Sequence, residues 1–243
     1  MIKTVHIPIF CGSEEAKSGA FLTLKTIRVG FPNTYVCIHW TGGSEKLFDE
    51  MRALAKANCL NMTMQPDLTN DKIIKQLADQ EKDSFAVVDS DVVFFENCED
   101  YEPGGVISGE FTPEFVCPAA KAVTASRLHT AFFVVDKPAT LNRVICLAYK
   151  PLFPRFCPFN PFSPVTVFDK ATPRFYDSCS VLYHAIGGYA FDQDMLKRFE
   201  HLHGGSWAPP GLHRDRINAA YENPETARGV RAMVSKFMRE RKP

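Results

Sequence analysis

Two aspartates, Asp89 and Asp91, interrupt the apolar run SFAVVDSDVVFFE at residues 84–96. A buried carboxylate needs a partner, because taking a charge out of water is costly. Residues two apart in an extended chain point to the same side, so both carboxylates can face one point. Oxygen ligands that converge in this way suit Mg²⁺ or Mn²⁺. The spacing alone leaves an alternative open, in which one aspartate caps a turn and the other is solvated.

A second segment with ligand-type side chains is FEHLHGGSW at residues 199–207. In a strand, His201 and His203 would share a face. A neutral imidazole is a good ligand for Mn²⁺ and similar metals. The glycines that follow, beginning at Gly204, would let the backbone approach a phosphate closely. For each histidine, a packed or surface side chain is the alternative.

The bulk composition excludes several classes of protein. The chain has 243 residues, of which 45% are hydrophobic and 23% charged, as in ordinary globular proteins. Its formal net charge of zero disfavours a general nucleic-acid binder. We expect no membrane span, because no apolar run approaches about 20 residues, and the N-terminus reads as a strand rather than a signal peptide. The eight cysteines form no CxxC pair, so we expect reduced thiols in a cytoplasmic protein.

The first 100 residues alternate between strand and helix patterns. Strands are predicted at 4–10, 34–40, 60–66 and 84–95, and helices at 13–29, 44–59 and 70–83. Ser13 is the expected N-cap of the first helix. This order predicts an α/β fold with a mainly parallel sheet and helices on both faces. The aspartate pair would then lie just beyond the buried part of the fourth strand, FAVV, where α/β proteins bind ligands.

The second half is less regular. Strands are predicted at 106–111 and 129–136, and helices at 138–150 and 177–188, the last with Asp177 as its cap and Gly187–Gly188 as its stop. Residues 151–175 contain six prolines and six phenylalanines and predict a long loop, either a packed connection or a flap for a sugar. The last 20 residues, from Pro224, predict a basic helix. That helix is either simply solvated or in peripheral contact with an anionic membrane.

Together, these segments resemble GT-A-type glycosyltransferases over residues 3–207. In that family a nucleotide-binding half ends in a hydrophobic strand and a D-x-D motif, here FAVVDSDVVFF, and a later histidine segment like HLHGGS completes a metal site. LHTAFFVVDKPATLNRV is similar to the block that forms the acceptor side. The resemblance implies a single GT-A-like Rossmann-type catalytic domain over residues 1–212, with a nucleotide-binding half (1–100), an acceptor half (101–212) and a C-terminal helical tail (213–243).

The resemblance also implies which residues bind. Mn²⁺ or Mg²⁺ would be held by Asp89, Asp91 and His201, with His203 as the alternative histidine. The donor would be a nucleotide sugar, with a UDP-sugar favoured. Its expected contacts, from the first two strand ends, the D-x-D turn and the histidine segment, are Pro8, Ile9, Phe10, Cys11, His39, Trp40, Thr41, Ser90, Gly204 and Ser206. For Ile9, Phe10 and Trp40, core packing is the alternative.

An inverting enzyme also needs a base that takes the proton of the acceptor hydroxyl. Asp177 and Asp192 are the candidates, with Asp194 as a further rival. For these carboxylates the alternative is a helix cap or a solvated first turn. A retaining enzyme needs no such base, and the sequence leaves the stereochemistry open. The acceptor would be a carbohydrate or another hydroxyl compound.

Three other classes share parts of this pattern. A nucleotidyltransferase acting on sugar phosphates usually has a Gly/Arg/Lys-rich loop after the first strand, whereas this chain has the acidic FCGSEEAKSG. A haloacid-dehalogenase-like phosphatase needs its D-x-D on the first strand, and Asp89 comes too late. A non-catalytic sugar-binding relative is disfavoured because Asp89, Asp91 and His201 are all present.

Overall fold

The computed structural model describes residues 1–12, 14–66, 68–117, 122–136, 138–141, 160–168, 173–202 and 210–233. The first part follows the predicted alternation. Its elements are β1 (Thr4–Phe10), α1 (Glu14–Gly30), β2 (Tyr35–Gly42), α2 (Glu45–Ala57), β3 (Asn61–Met64), α3 (Asn70–Gln80) and β4 (Phe85–Val88). Ser44 caps α2 by accepting the Leu47 backbone N–H at 3.3 Å, which explains why the helix begins there.

The remaining elements are shorter. The strands are β5 (Val92–Phe94), β6 (Ile107–Thr112), β7 (Phe115–Cys117), β8 (Ala122–Thr124), β9 (Arg127–Val135), β10 (Val165–Phe168), β11 (Pro173–Tyr176), β12 (Tyr189–Ala190) and β13 (Phe199–His201). The helices are α4 (Ser180–Ile186), α5 (Gln193–Lys197) and α6 (Pro210–Glu222), and Pro224–Ala227 forms a 3₁₀ turn.

The main sheet has seven strands in the order β12-β6-β9-β4-β1-β2-β3. Strands β1, β2 and β3 pair in parallel, as do β12 and β6, whereas β6 and β9 are antiparallel. The predicted mainly parallel α/β sheet is therefore confirmed. Two smaller sheets contain β10-β11-β8-β7 and β13-β5.

The chain forms two compact units. The first contains residues 1–67 and 88–101 and the described residues from 192 to 233. One apolar cluster of this unit joins Leu22 of α1, Val93 of β5, Leu202, and Ile217 and Ala220 of α6. Helix α6 runs without a break through residue 212, where the sequence suggested the start of a separate tail, and its buried side chains belong to this cluster.

The second unit contains residues 68–87 and 102–191. Its core is formed by one face of α3, which carries Ile74 and Leu77, together with Phe85, Phe133 of β9 and Leu182 of α4. Strand β9, which is buried at every residue except His129, and the 3.6-residue period of α3 supply the apolar surfaces that meet here.

Several sequence-based predictions about elements were wrong. Residues 84–95 do not form one strand, because the chain leaves β4 after Val88 and resumes as β5 in another sheet. The predicted loop at 151–175 contains strands β10 and most of β11, since Val165–Phe168 offers β-branched residues that pair across to Pro173–Tyr176. Residues 142–159 and 169–172 lie outside the described part.

The predicted basic terminal helix is interrupted in its described part. After the 3₁₀ turn, Gly229 adopts φ +86°, and helical backbone resumes only at Val230. Arg228 pairs with Glu225, and the Arg231 guanidinium donates to the Leu196 carbonyl at 2.7 Å. Both cations therefore have protein partners, and residues 234–243 lie outside the described part. Within the described residues no helix has the length and apolarity that crossing a bilayer requires.

Candidate active site

The aspartate pair lies in the turn that follows β4. All four residues of β4 are buried, and the turn residues Asp89, Ser90 and Asp91 are half-buried. The strand therefore ends where its charged residues begin, because a carboxylate keeps access to solvent or to a partner only outside the apolar layer. Both aspartates occupy the open end of the strand, as the sequence indicated.

Pairing between β5 and β13 brings His201 to this turn across 110 residues of sequence. His201 lies opposite Val92 in the antiparallel ladder, and the Leu202 N–H donates to the Asp91 carbonyl at 2.9 Å. The His201 Nε2 atom is 3.1 Å from Asp91 Oδ1. One ligand atom each from Asp89, Asp91 and His201 lies within 4.8 Å of the others.

Helix α1 holds the turn from the other side. The Thr23 hydroxyl oxygen accepts the Val92 N–H at 3.1 Å, and one turn later the Thr26 hydroxyl oxygen accepts the Phe94 N–H at 3.2 Å. A side chain at Gly19 would place its Cβ 3.2 Å from the Ser90 carbonyl oxygen and 3.3 Å from Asp91 Cβ. This supporting face was not predicted, although the sequence carries its signal: Gly19, Thr23 and Thr26 are small or hydroxyl residues at four- and three-residue spacing on the buried face of α1.

The strand that carries His201 is also anchored. The carboxylate of buried Glu200 accepts the backbone N–H groups of Gly229 at 3.1 Å and Arg231 at 2.6 Å. The Arg231 guanidinium stacks over the Phe199 ring at 4.9 Å. Strand β13 is thus held between β5 and the chain after the 3₁₀ turn, and this limits the movement of His201.

The donor set fits a divalent cation. A cation with Mn²⁺ or Mg²⁺ bond lengths needs ligand atoms about 3 Å apart, so small side-chain rotations would bring the three groups into range. Two carboxylates cancel the charge of the ion, and the nearly buried imidazole of His201 adds a nitrogen ligand that Mn²⁺ accepts. Substrate oxygens and water would complete the shell of such a site.

Most of the side chains predicted to contact the donor are packed inside. Pro8, Ile9, Cys11, His39, Trp40 and Thr41 are buried. The Thr41 hydroxyl donates to the Ile9 carbonyl at 3.1 Å, and Trp40 packs edge-on against Phe48. Phe10 differs from them: it is 63% exposed, and its ring leaves no room for a side chain at Gly12 or Gly42.

The candidate bases all have protein partners. Asp177 forms an ion pair with Arg127 at 2.5 Å and accepts the Ser178 N–H at 2.7 Å. The prediction that it caps a helix was wrong, because Cys179, at φ +62°, occupies the N-cap position of α4.

Asp192 caps α5 by accepting the Met195 N–H at 2.7 Å. Hydrogen bonding to Arg198 lowers the pKa of Asp194. Predicted residues His203, Gly204 and Ser206 lie outside the described part of the chain.

Sequence comparison finds no matching protein family and no matching curated protein. Solved structures do match. The galactosyltransferase LgtC, in complex with donor and acceptor sugar analogs, has a TM-score of 0.52 at 9% identity, over 90% of this chain and 95% of its own. The glycosyltransferase GlyE of Streptococcus pneumoniae matches 79% of this chain with a TM-score of 0.47 and 8% identity. This chain spans only 45% of GlyE. The mannosyltransferase PcManGT of Pyrobaculum calidifontis, in complex with GDP-Man and Mn²⁺, has a TM-score of 0.44 at 10% identity, over 99% of this chain and 76% of its own.

The likeness to LgtC extends over nearly the full length of both chains. At 9% identity, this likeness establishes the fold but neither the reaction nor the substrates. The chain has a GT-A-type glycosyltransferase fold, as its D-x-D and histidine segments indicated.

Proposed function

We propose that this chain is a metal-dependent glycosyltransferase that moves a sugar from a nucleoside-diphosphate sugar to a hydroxyl acceptor. The convergence of Asp89, Asp91 and His201 at the end of β4, on a GT-A-type fold, carries the proposal. The structure of LgtC with donor and acceptor sugar analogs supports the two general substrate classes. A UDP-sugar is the donor that we propose first.

In this proposal Asp89, Asp91 and His201 hold Mn²⁺ or Mg²⁺, with Mn²⁺ favoured by the imidazole ligand. When bound, the ion neutralises the diphosphate and stabilises the charge that develops on the leaving nucleotide. Thr23 keeps the turn after Asp91 in place through the Val92 N–H, so the carboxylates stay directed to one point. His203, Gly204 and Ser206 are proposed as additional contacts to the ion and the phosphates.

Phe10 is proposed as the face on which the base or ribose of the donor stacks. Its ring is exposed at the end of β1, and aromatic faces bind flat rings well. The buried donor-contact residues, Trp40 and Thr41 among them, would contribute through backbone atoms and by supporting Phe10. Ser90, between the two aspartates, would offer its hydroxyl to a phosphate.

The acceptor base stays a proposal with two candidates. Asp177 is oriented by Arg127, and Asp192 by the first turn of α5. For an inverting enzyme, replacement of the true base by asparagine would lower kcat about 10³-fold and leave donor binding unchanged. If neither Asp177→Asn nor Asp192→Asn has this effect, both assignments are wrong.

Donor binding tests the proposal directly. Thermal unfolding is measured with each nucleoside diphosphate, with and without Mn²⁺, and hydrolysis is then measured against a panel of nucleotide sugars. We expect one nucleotide to raise Tm by about 5 °C at 100-fold excess over Kd, and only when Mn²⁺ is present. We also expect slow, Mn²⁺-dependent hydrolysis of the sugar donor that carries the same nucleotide.

Asp49→Asn serves as the matched control, because it makes the same chemical change on the exposed face of α2. Asp91→Asn should lose the metal-dependent shift, and Asp49→Asn should keep it. A protein that responds to no nucleotide contradicts the proposal. Formation of a nucleotide sugar from a nucleoside triphosphate and a sugar phosphate would favour a nucleotidyltransferase instead.

A further inference from the structure

A second group of ligand-type side chains lies within the sheet, away from the strand ends. It consists of His6 on β1 and of Cys37 and His39 on β2. His6 is the register partner of Cys37 in the parallel ladder, and His39 follows Cys37 by two residues. The three side chains therefore leave the sheet on one face.

The geometry of this group is compact. His6 Nδ1 lies 2.9 Å from His39 Nε2, and one ligand atom of each of the three residues lies within 4.8 Å of the others. The residues are nearly inaccessible, with 4%, 8% and 4% of their surfaces exposed for His6, Cys37 and His39. Cys37 forms no disulfide bond.

A neighbouring threonine on β3 orients one of the rings. Thr63 Oγ1 is 3.4 Å from His39 Nδ1 and donates its own hydrogen to the Ile38 carbonyl at 3.3 Å. The Thr63 oxygen is therefore the acceptor for the His39 Nδ1–H. This hydrogen bond selects the tautomer that leaves the His39 Nε2 lone pair directed at His6 and Cys37, as second-sphere partners do for metal-binding histidines.

Burial disfavours the protonated form of both imidazoles. Burial, with a smaller contribution from the neighbouring His39, lowers the pKa of His6 to about 3. Burial lowers the pKa of His39 to about 4. The neutral ring is the form that binds metals.

We propose that His6, Cys37 and His39 form a second metal site, specific for Zn²⁺ and distinct from the carboxylate site at the end of β4. Two imidazole nitrogens and one thiolate are a ligand set that zinc prefers and that Mg²⁺ and Mn²⁺ bind poorly. With Zn–N and Zn–S bonds of about 2.1 and 2.3 Å in a tetrahedron, the sulfur would approach the nitrogens by up to about 1 Å and the two nitrogens would separate by about 0.5 Å. A water molecule would provide the fourth ligand.

The protons balance in this step. Cys37 binds as a thiolate and releases its proton to solvent. The proton between the two rings is carried by His6 Nδ1, because His39 carries its own proton on Nδ1, and it moves to His6 Nε2. One proton therefore leaves for each zinc bound, and the thiolate cancels half of the charge of the ion. The bound ion would join β1 to β2 as a structural link.

Cobalt provides the test, since Co²⁺ replaces Zn²⁺ and shows a thiolate-to-metal band in the near ultraviolet. The full chain is stripped with a chelator at mild denaturant concentration, refolded and titrated with Co²⁺. We expect one equivalent of Co²⁺ to give the thiolate band, and one equivalent of Zn²⁺ to abolish it. The Asp89→Asn/Asp91→Asn double variant should give the same band, because the carboxylate site contains no thiol.

Two cysteine variants decide which thiol is involved. Cys37→Ala should lose the band completely, and Cys59→Ala, which removes an exposed free cysteine, should keep it. No band in the parent protein, or an unchanged band in Cys37→Ala, overturns the proposal. If Cys37→Ala does not fold, alkylation of the parent is measured instead: Zn²⁺ should slow modification of Cys37 at least tenfold and leave that of Cys59 unchanged, and equal rates at Cys37 overturn the proposal.

Discussion

The first unit contains two groups of three ligand-type side chains that differ in almost every physical respect. His6, Cys37 and His39 lie in the middle of two paired strands and are buried, whereas Asp89 and Asp91 lie in a turn past a strand end and are half-buried. A strand interior can hold only neutral or softly polar ligands, because an uncompensated carboxylate there would cost too much. A strand end can hold charged oxygen ligands and leave room for a substrate. The buried group is therefore suited to a structural role, and the half-buried group is suited to catalysis.

The largest effect is expected from a double variant that removes both carboxylates of the site at the end of β4. If the proposed function is right, Asp89→Asn/Asp91→Asn should lower transfer activity about 10³-fold or more, because an ion that stabilises the leaving group would no longer be held. The metal-free variant should be at least as stable as the parent, since two neighbouring negative charges have been removed. Initial rates and urea unfolding in chelator check the two parts. An active double variant, or one that is strongly destabilised without metal, would contradict this assignment.

The next largest expected effect is a loss of folding stability at low pH, caused by His6 and His39. The pKa values of His6 and His39 are lowered in the folded state, so between about pH 6.5 and pH 5 the unfolded chain binds more protons than the folded chain. Stability is therefore full above pH 6.5 and falls as the pH drops, by about 1 kcal/mol per pH unit for each histidine. Urea unfolding in chelator at pH 7.5, 6 and 5 measures this slope.

Two histidine variants show which residues cause the dependence of the free energy of unfolding on pH. His39→Gln should reduce the dependence on pH, while His184→Gln, which removes an exposed histidine of α4, should leave it intact. An equal slope in His39→Gln and the parent would mean that other groups cause the acid sensitivity.

A smaller effect separates two similar hydroxyls. Thr23→Val and Thr26→Val each remove an acceptor for a buried backbone N–H, so each should lower the free energy of unfolding by about 1–3 kcal/mol. Only Thr23 supports the residue that follows Asp91. We therefore expect Thr23→Val to weaken Mn²⁺ binding several-fold and Thr26→Val to leave it nearly unchanged, as measured by calorimetric titration. Equal Mn²⁺ affinities in the two variants would show that α1 does not shape the site.

The smallest expected effect is at Gly19. Alanine is favoured over glycine inside a helix by about 1 kcal/mol, but its Cβ would press on the Ser90 carbonyl. The two contributions nearly cancel, so Gly19→Ala should change stability by less than about 1 kcal/mol and weaken Mn²⁺ binding two- to fivefold. Thermal unfolding and the same titration check both values. An unchanged affinity would mean that the turn adapts freely.

The parts of the fold that follow from local patterns were predictable. Strand β1, helices α1 to α3 and the aspartate pair just past FAVV lie where the periodicity of apolar residues places them. The predictions that failed involve competing local signals. Asp177 has the residue type of a cap, yet its side chain pairs with Arg127. Residues 165–168 and 173–176 form strands because they pair with each other.

The sequence by itself determined the α/β class, and it predicted the metal-ligand chemistry that we propose for Asp89 and Asp91 and the histidine segment that accompanies them, since composition and spacing along the chain decide these. Only the tertiary structure decided that His201 reaches Asp91 through the β5–β13 ladder, that α1 supports the turn through Thr23, and that His6 meets Cys37 and His39. These contacts join residues far apart along the chain. They depend on which strands pair and in which register, and no local preference of the backbone sets that choice.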